Sequence, residues 1–402
     1  MFLRAAPGSD RPFRLGHRPG LDGVRGVAIV LVVAVHATYG LIPQHAGQWV
    51  PGGFIAIDVF FVLSGFLITS LLLEELARSG TISFRQFYRR RALRLFPALW
   101  AVMVAQLVYA VATGIPLGHD LKGLGAIALY VGNWSWNFGA IIPDALGQTW
   151  SLAVEEQFYL LWPLVLFLLL RKDRRRLAVG VMAALVAVAL VSRILLWRAG
   201  VPYIEIYVQT EARLDSLMLG CLLAFATHYG WRLPRRIELL GWTGAAGLAA
   251  VTLLAHREDA WLYQGGFTLV ALASVLVVCA ALDQASTFGR LLSLRPVKVL
   301  GRVSYSIYLW HFMIFLAVDR VWPTRPSIER LVAGLGLTAV VSALSYNVIE
   351  KPFLRRKDAG PARRRLPSGS PGSAAGDVAE TARRGPGDPR SARGGPARSG
   401  RL

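Results

Sequence analysis

Apolar stretches of about 18 residues or more recur along this chain, each long enough to cross the hydrocarbon core of a bilayer as a helix. They lie at roughly 24–43, 53–76, 95–115, 150–170, 177–198, 212–230, 237–256, 261–282, 300–318 and 331–349. The pattern predicts an all-α membrane protein with about ten transmembrane helices. Between the third and fourth stretches lies 116–149, with the run GAIALYVGNWSWNFGAII. Hydropathy alone would accept it as an eleventh span.

Charge decides the count. Lys and Arg accumulate on the cytoplasmic side of membrane helices. With the N-terminus inside and ten spans, all but eight of the 44 Lys and Arg residues fall inside. These include Arg4, Arg11, Arg14, Arg18 and Arg25, the cluster from Arg78 to Arg94, and the run RKDRRR at 171–176. Lys122, Arg257, Arg320, Arg325 and Arg330 fall outside, while Arg193, Arg198 and Arg213 fall in span ends. An eleventh span would push RKDRRR outside. The segment 116–149 is therefore read as an outer loop, semi-embedded where protein covers its backbone. Its Trp134 and Trp136, with Trp150, suit an interfacial position.

Composition agrees. Of 402 residues, 54% are hydrophobic and 17% charged, against about a quarter charged in a soluble domain. The net charge of +20 is mostly topogenic. After Leu354 the chain carries twelve basic and four acidic residues among Gly, Pro, Ser and Ala. That composition cannot bury a core, so a disordered tail is expected, with weak attraction to anionic lipid. No nucleic-acid partner is expected. Three regions follow: a basic cytoplasmic N-terminus (1–18), a transmembrane domain (19–355) and a cytoplasmic tail (356–402). The first apolar run is too long for a signal h-region and lacks a small-x-small site, so no cleaved leader is expected. Cys221 and Cys279 lie in apolar runs, which argues against a disulfide framework or a thiolate metal site. No metal is expected.

Ionisable residues inside membrane segments are the first places to seek function. Arg25 and His36 are eleven residues apart in LDGVRGVAIVLVVAVH. That spacing is three helical turns plus roughly 20°, so both lie on one face, about 16 Å apart along the axis. A polar residue packed between helices would account for His36 equally well. Asp58 lies inside the second stretch and needs a partner, His36 or an arginine, because an unpaired buried carboxylate is costly. Ser64 and Gly65 follow it and permit close helix approach. Arg91 and Arg94, at i and i+3, share a face of a helix entering the membrane, and paired guanidinium groups suit phosphate. Positive-inside topology is the plainer account of them. Glu155 and Glu156 point in different directions on one helix, so one of them can face the bundle. Tyr305, Tyr308 and His311 lie on the ninth stretch, and Glu350 sits at the mouth of the tenth. There is no P-loop, no H-E-x-x-H and no G-x-S-x-G.

Together these segments resemble the acyltransferase family 3 membrane proteins, which include O-antigen, peptidoglycan and antibiotic O-acyltransferases. The family's basic residue, ten positions, then His is matched by Arg25 and His36. Its G-x-D-x-F-F-x-x-S-G-F-x-x-T resembles 56–69, with Ala56 in place of the first glycine. Arg91 and Arg94 match its Arg-x-x-Arg. Its T-W-S-L-x-x-E-x-Q-F-Y resembles 149–159, with Glu155 or Glu156 in the acidic place, and S-Y-x-x-Y-L-x-H resembles 304–311. The likeness covers roughly 19–355. Members acting on surface polysaccharide often add an SGNH-type hydrolase-like domain, where only a short basic tail follows here.

The resemblance implies transfer of an acyl group, acetyl by default, from cytoplasmic acyl-CoA as co-substrate to a hydroxyl of a carbohydrate or glycosylated small molecule. No permanently bound cofactor is expected. His36 is the expected general base, with Asp58 and Glu156 beside it in the catalytic set. Arg25, Arg91 and Arg94 are expected to hold the CoA phosphates at the inner face. The implied location is the bacterial cytoplasmic membrane, with both termini in the cytoplasm. A transporter or flippase of an anionic solute would use the same intramembrane Arg, His and Asp.

Overall fold

A computed structural model describes residues 15–41, 49–138, 141–232, 234 and 236–358. They belong to one compact unit, Met1–Ala359; the second unit, Gly360–Leu402, lies outside the described residues. So do Arg4, Arg11, Arg14 and Arg235, and almost all of the expected tail.

No strand occurs among the described residues, and the chain is a succession of helices. The longer ones are α1 (Pro19–Gly40), α2 (Ala56–Ser79), α3 (Phe84–Thr113), α5 (Trp150–Leu170), α6 (Arg175–Arg198), α8 (Leu214–His228), α9 (Ile237–Leu254), α10 (Phe267–Leu282), α13 (Ser304–Val321) and α14 (Ser327–Leu344). Shorter helices connect them: α4 (Leu117–Ala128), α7 (Tyr203–Val208), α11 (Thr287–Leu292), α12 (Arg295–Arg302) and α15 (Lys351–Asp358). Pro19 opens α1, where its missing N–H costs no bond. Gly80 closes α2 in the left-handed region, at φ 70°, a conformation that β-carbon sterics discourage elsewhere.

Every apolar stretch becomes a helix, but not every helix is an ordinary span. Eight helices among the described residues are long and apolar enough to cross a membrane. A ninth arises if α12 and α13, bent by 72° at their junction, count as one broken span. The stretch at 212–230 yields only α8, 15 residues, or about 22 Å. It is sheathed by protein, with Leu217, Met218, Cys221 and Ala224 all buried. Its apolar run therefore serves the core of the bundle.

The segment 116–149 forms α4, of 12 residues, and two 3-10 turns, Gly132–Phe138 and Asp144–Thr149. None of these alone is long enough to span. Trp150, half-buried at the first turn of α5, packs against protein. Its ring lies 4.9 Å from that of Tyr207 and 6.2 Å from that of Phe61, centroid to centroid, within the bundle.

Small residues set the closest contacts. A β-carbon on Gly65 of α2 would come within 2.0 Å of the Leu217 carbonyl oxygen on α8, and one on Gly220 within 2.1 Å of the Val62 carbonyl oxygen on α2. The two backbones touch there, as small-residue stripes allow where lipid supplies no hydrophobic drive. On the outside, Val104, Val108 and Val111 of α3 and Leu160, Leu161 and Leu168 of α5 stay exposed, as a lipid-facing surface requires.

Candidate active site

The sequence candidates divide into three clusters. The first surrounds a cavity of about 200 Å³. Arg25 of α1, Ser64 of α2, Arg91 and Arg94 of α3, Glu155 of α5 and Ser304 of α13 all line it, with Leu, Phe and Tyr side chains between them. The 84–113 helix begins well before its apolar stretch, so the basic prefix YRRRALR is carried into the wall of the cavity. Ser64 Oγ donates to Glu155 Oε1 at 2.6 Å, and Arg25 Nη2 donates to Ser304 Oγ at 3.2 Å. The Arg91 guanidinium lies 4.1 Å from the Tyr159 ring centroid.

None of these three arginines forms an ion pair with a carboxylate among the described residues. Three guanidinium groups therefore meet one lining carboxylate, Glu155, and the cavity carries a positive excess. Guanidinium groups are weakly hydrated, planar and forked, the geometry that grips phosphate through parallel hydrogen bonds. The apolar remainder of the lining suits an uncharged chain attached to such a head.

The second cluster lies deeper. His36 does not line this cavity. Its Nδ1 is 3.1 Å from His311 Nε2 and 2.9 Å from the Val32 carbonyl oxygen, while His311 Nδ1 is 2.8 Å from the Ile307 carbonyl oxygen. Each carbonyl can only accept, so with neutral rings each Nδ1 carries its proton. His311 Nε2 then holds a lone pair, and the one His36 Nδ1–H is shared between it and the Val32 carbonyl in a three-centre bond. The lone pair of His36 Nε2 is left over, and that atom is the one able to take a proton. Tyr308 connects the clusters: it lines the cavity, and its ring centroid is 6.0 Å from that of His311. The Tyr308 hydroxyl and Ser151 Oγ share a 2.6 Å hydrogen bond.

The third cluster answers the question of Asp58. Its partner is Arg213, at 3.2 Å, and Ser216 Oγ donates to it at 2.9 Å. Arg193 pairs with Asp215 at 2.6 Å, and Thr268 Oγ1 donates to the same carboxylate at 2.7 Å. All four charged side chains are buried, and the two pairs tie α2, α6, α8 and α10 together. Sequence reasoning counted Arg193 and Arg213 as charges at span ends. The available signal was their position inside apolar stretches, of which the one at 212–230 also holds Asp215.

Glu156 is directed away from the arginine cavity, which is lined by Glu155. Successive helical residues point about 100° apart, so only one of the two can face it. Glu156 Oε1 is buried with no hydrogen-bond partner among the described residues, as is the Tyr130 hydroxyl. Burial and the Glu156 carboxylate push the Tyr130 phenol above its usual range. At the mouth of α13, Ser306 Oγ donates to Glu350, and the Tyr305 hydroxyl donates to the Leu95 carbonyl at 2.8 Å. Among the described residues there is no group of three or more His, Cys, Asp or Glu able to hold a metal ion.

Comparison with known proteins adds an independent line. The family described as "Acyltransferase domain" matches residues 18–347. An O-acetyltransferase OatA of Staphylococcus aureus (strain NCTC 8325 / PS 47) is 32% identical over 353 residues, 84% of this chain and 57% of that protein. A peptidoglycan O-acetyltransferase OatA of Listeria monocytogenes is 32% identical over 354 residues, covering 83% of this chain and 55% of that one. A putative peptidoglycan O-acetyltransferase YrhL of Bacillus subtilis is 33% identical over 358 residues, 83% and 54% of the two chains. The chain thus spans little more than half the length of these relatives. No solved structure matches.

Proposed function

The chain belongs to the acyltransferase family whose domain it carries over residues 18–347, and on that footing we propose that it is a membrane O-acetyltransferase acting on a carbohydrate hydroxyl. The relatives named for peptidoglycan make a cell-wall glycan the first acceptor to try. The proposed donor is cytoplasmic acetyl-CoA, and the proposed setting is the bacterial inner membrane with both termini in the cytoplasm. The observation that carries the reading is the arginine cavity: Arg25, Arg91 and Arg94 converge on one space without a carboxylate partner of their own.

In this reading the arginines hold the phosphates of CoA, and the apolar lining guides the pantetheine arm past Tyr308 towards the histidine pair. The acceptor hydroxyl gives its proton to His36 Nε2 as its oxygen attacks the thioester carbonyl. The tetrahedral oxyanion collapses, the C–S bond breaks, and the departing thiolate takes the proton back from His36. The product ester and CoA–SH leave the imidazole as it began. The Val32 carbonyl fixes the His36 tautomer by accepting from Nδ1–H, and His311 Nε2 lies against the same N–H. Glu155, held by Ser64, orients the arginines. Asp58 and Glu156, expected beside the base, act in this reading through the scaffold and not on the reacting atoms.

The test uses purified protein in proteoliposomes, radiolabelled acetyl-CoA and solubilised peptidoglycan strands. His36→Ala is expected to lower transfer about 10²–10⁴-fold, the usual contribution of a positioned base, while donor binding persists. Arg91→Ala with Arg94→Ala is expected to weaken donor binding instead. Full transfer by the His36 variant removes the base assignment. Movement of an anionic solute without any acyl donor would favour the transporter reading.

A further inference from the structure

The arginine cavity lies near the start of α1, whereas His36 lies near its end, about 16 Å further along the axis. A different arginine attends that far end. The Gly52 amide donates to the Thr252 carbonyl at 2.9 Å, which ties the end of α9 to the start of the 3-10 turn Gly53–Ile55. Beyond α9 comes Arg257. Its guanidinium carbon is 5.4 Å from the Phe54 ring centroid and 5.0 Å from that of Tyr207. The Tyr207 ring also carries Arg213, at 4.2 Å.

Charge singles out Arg257. Arg213 is neutralised by Asp58 and Arg193 by Asp215, so four buried charges cancel in pairs. Arg257 has no carboxylate partner among the described residues, and its Nε is buried without a hydrogen-bond partner. A buried donor left unmade is costly, and a guanidinium laid on aromatic rings is held in one orientation with its fork ready. Gly53, the neighbour of Phe54, abuts α1 at Val35, the residue before His36: a β-carbon on Gly53 would lie 3.3 Å from the Val35 Cβ, so a group gripped by Arg257 sits at the His36 end of α1. Carbohydrate usually meets aromatic side chains through their ring faces, yet here a cation sits over those of Phe54 and Tyr207. What this end of the bundle offers is a fixed positive fork.

We propose that Arg257, laid across Phe54 and Tyr207 at the His36 end of the bundle, orients the acceptor by binding a carboxylate of an acidic carbohydrate. The proposal rests on the acetyl-transfer reading for the identity of the acceptor, but its binding step can be measured without transfer. Two probes serve: a muramic-acid-containing strand with free lactyl carboxylates, and a chito-oligosaccharide of equal length that has none. Binding of each to the full-length protein in detergent is followed by calorimetry, and transfer by label from acetyl-CoA.

Wild-type protein is expected to bind the carboxylated strand about tenfold or more tightly than the same strand after methyl esterification, the scale of a lost charge-assisted hydrogen bond. Arg257→Gln should lose about that factor on the carboxylated strand relative to the neutral one, and Arg257→Lys should recover part of it. Equal losses on both strands, or binding indifferent to esterification, overturns the proposal. Esterification uses unaltered protein, so the outcome stands even if Arg257→Gln fails to fold. If the carboxylate preference appears but no label moves, the acetyl-transfer reading fails and the Arg257 site survives.

Discussion

Two residues expected to act together, His36 and Asp58, are separated by their partners. His36 contacts His311 through ring nitrogens 3.1 Å apart, and Asp58 is spent on Arg213. A buried ion pair is weak evidence of net stability, since desolvation offsets much of the attraction, but removing one member leaves an uncompensated charge. Asp58→Ala is therefore expected to destabilise the protein by about 3–5 kcal/mol. Unfolding in detergent followed by intrinsic fluorescence reads this directly. An unchanged midpoint with abolished transfer would return Asp58 to the reacting centre. At the same scale, Glu155 takes the cavity position that the motif allowed to either glutamate.

Among elements, the contact of α2 with α8 holds the site in register. Gly65 follows Ser64, which binds Glu155, and Asp58 and Ser216 link the same two helices. A side chain on Gly65 meets the Leu217 carbonyl, part of a helix backbone that cannot yield as a side-chain tip would. Gly65→Val should push α8 outward at a cost of about 1–3 kcal/mol. It should also lengthen the Ser64–Glu155 and Asp58–Ser216 contacts, seen as a lower melting temperature together with weaker acetyl-CoA binding. A variant that melts like the parent would show that this approach is not tight. The bend between α12 and α13 is a second element-scale device: it brings Ser304, at the first turn of α13, against Arg25.

For the whole molecule, the proposed reaction needs two chemistries at different places along the bundle, a cationic cavity and an imidazole pair, with Tyr308 between them. The topology inferred from charge makes the arginine end cytoplasmic. Single cysteines at Gly118 and Asp144 should react with a membrane-impermeant maleimide from outside, and one at Arg174 should not. The native Cys221 and Cys279 are buried and free, so the background should be low. Labelling at 174 from outside would overturn the ten-span topology.

The helical character, the approximate spans and the arginine pair were legible from the residues because they follow from local properties. Apolar length sets a helix across lipid, and a spacing of three or four sets a shared face. That Arg91 and Arg94 share one face of α3 is such a local fact, whereas their meeting with Arg25 of α1 around one cavity is not. Partner choice is different. That His36 meets His311, that Asp58 meets Arg213, and that α8 is wrapped by protein on its sides, each depends on contacts between segments far apart in the chain. Only the packed bundle could decide them, because hydropathy ranks residues by their preference for lipid and says nothing of which buried neighbour satisfies each charge.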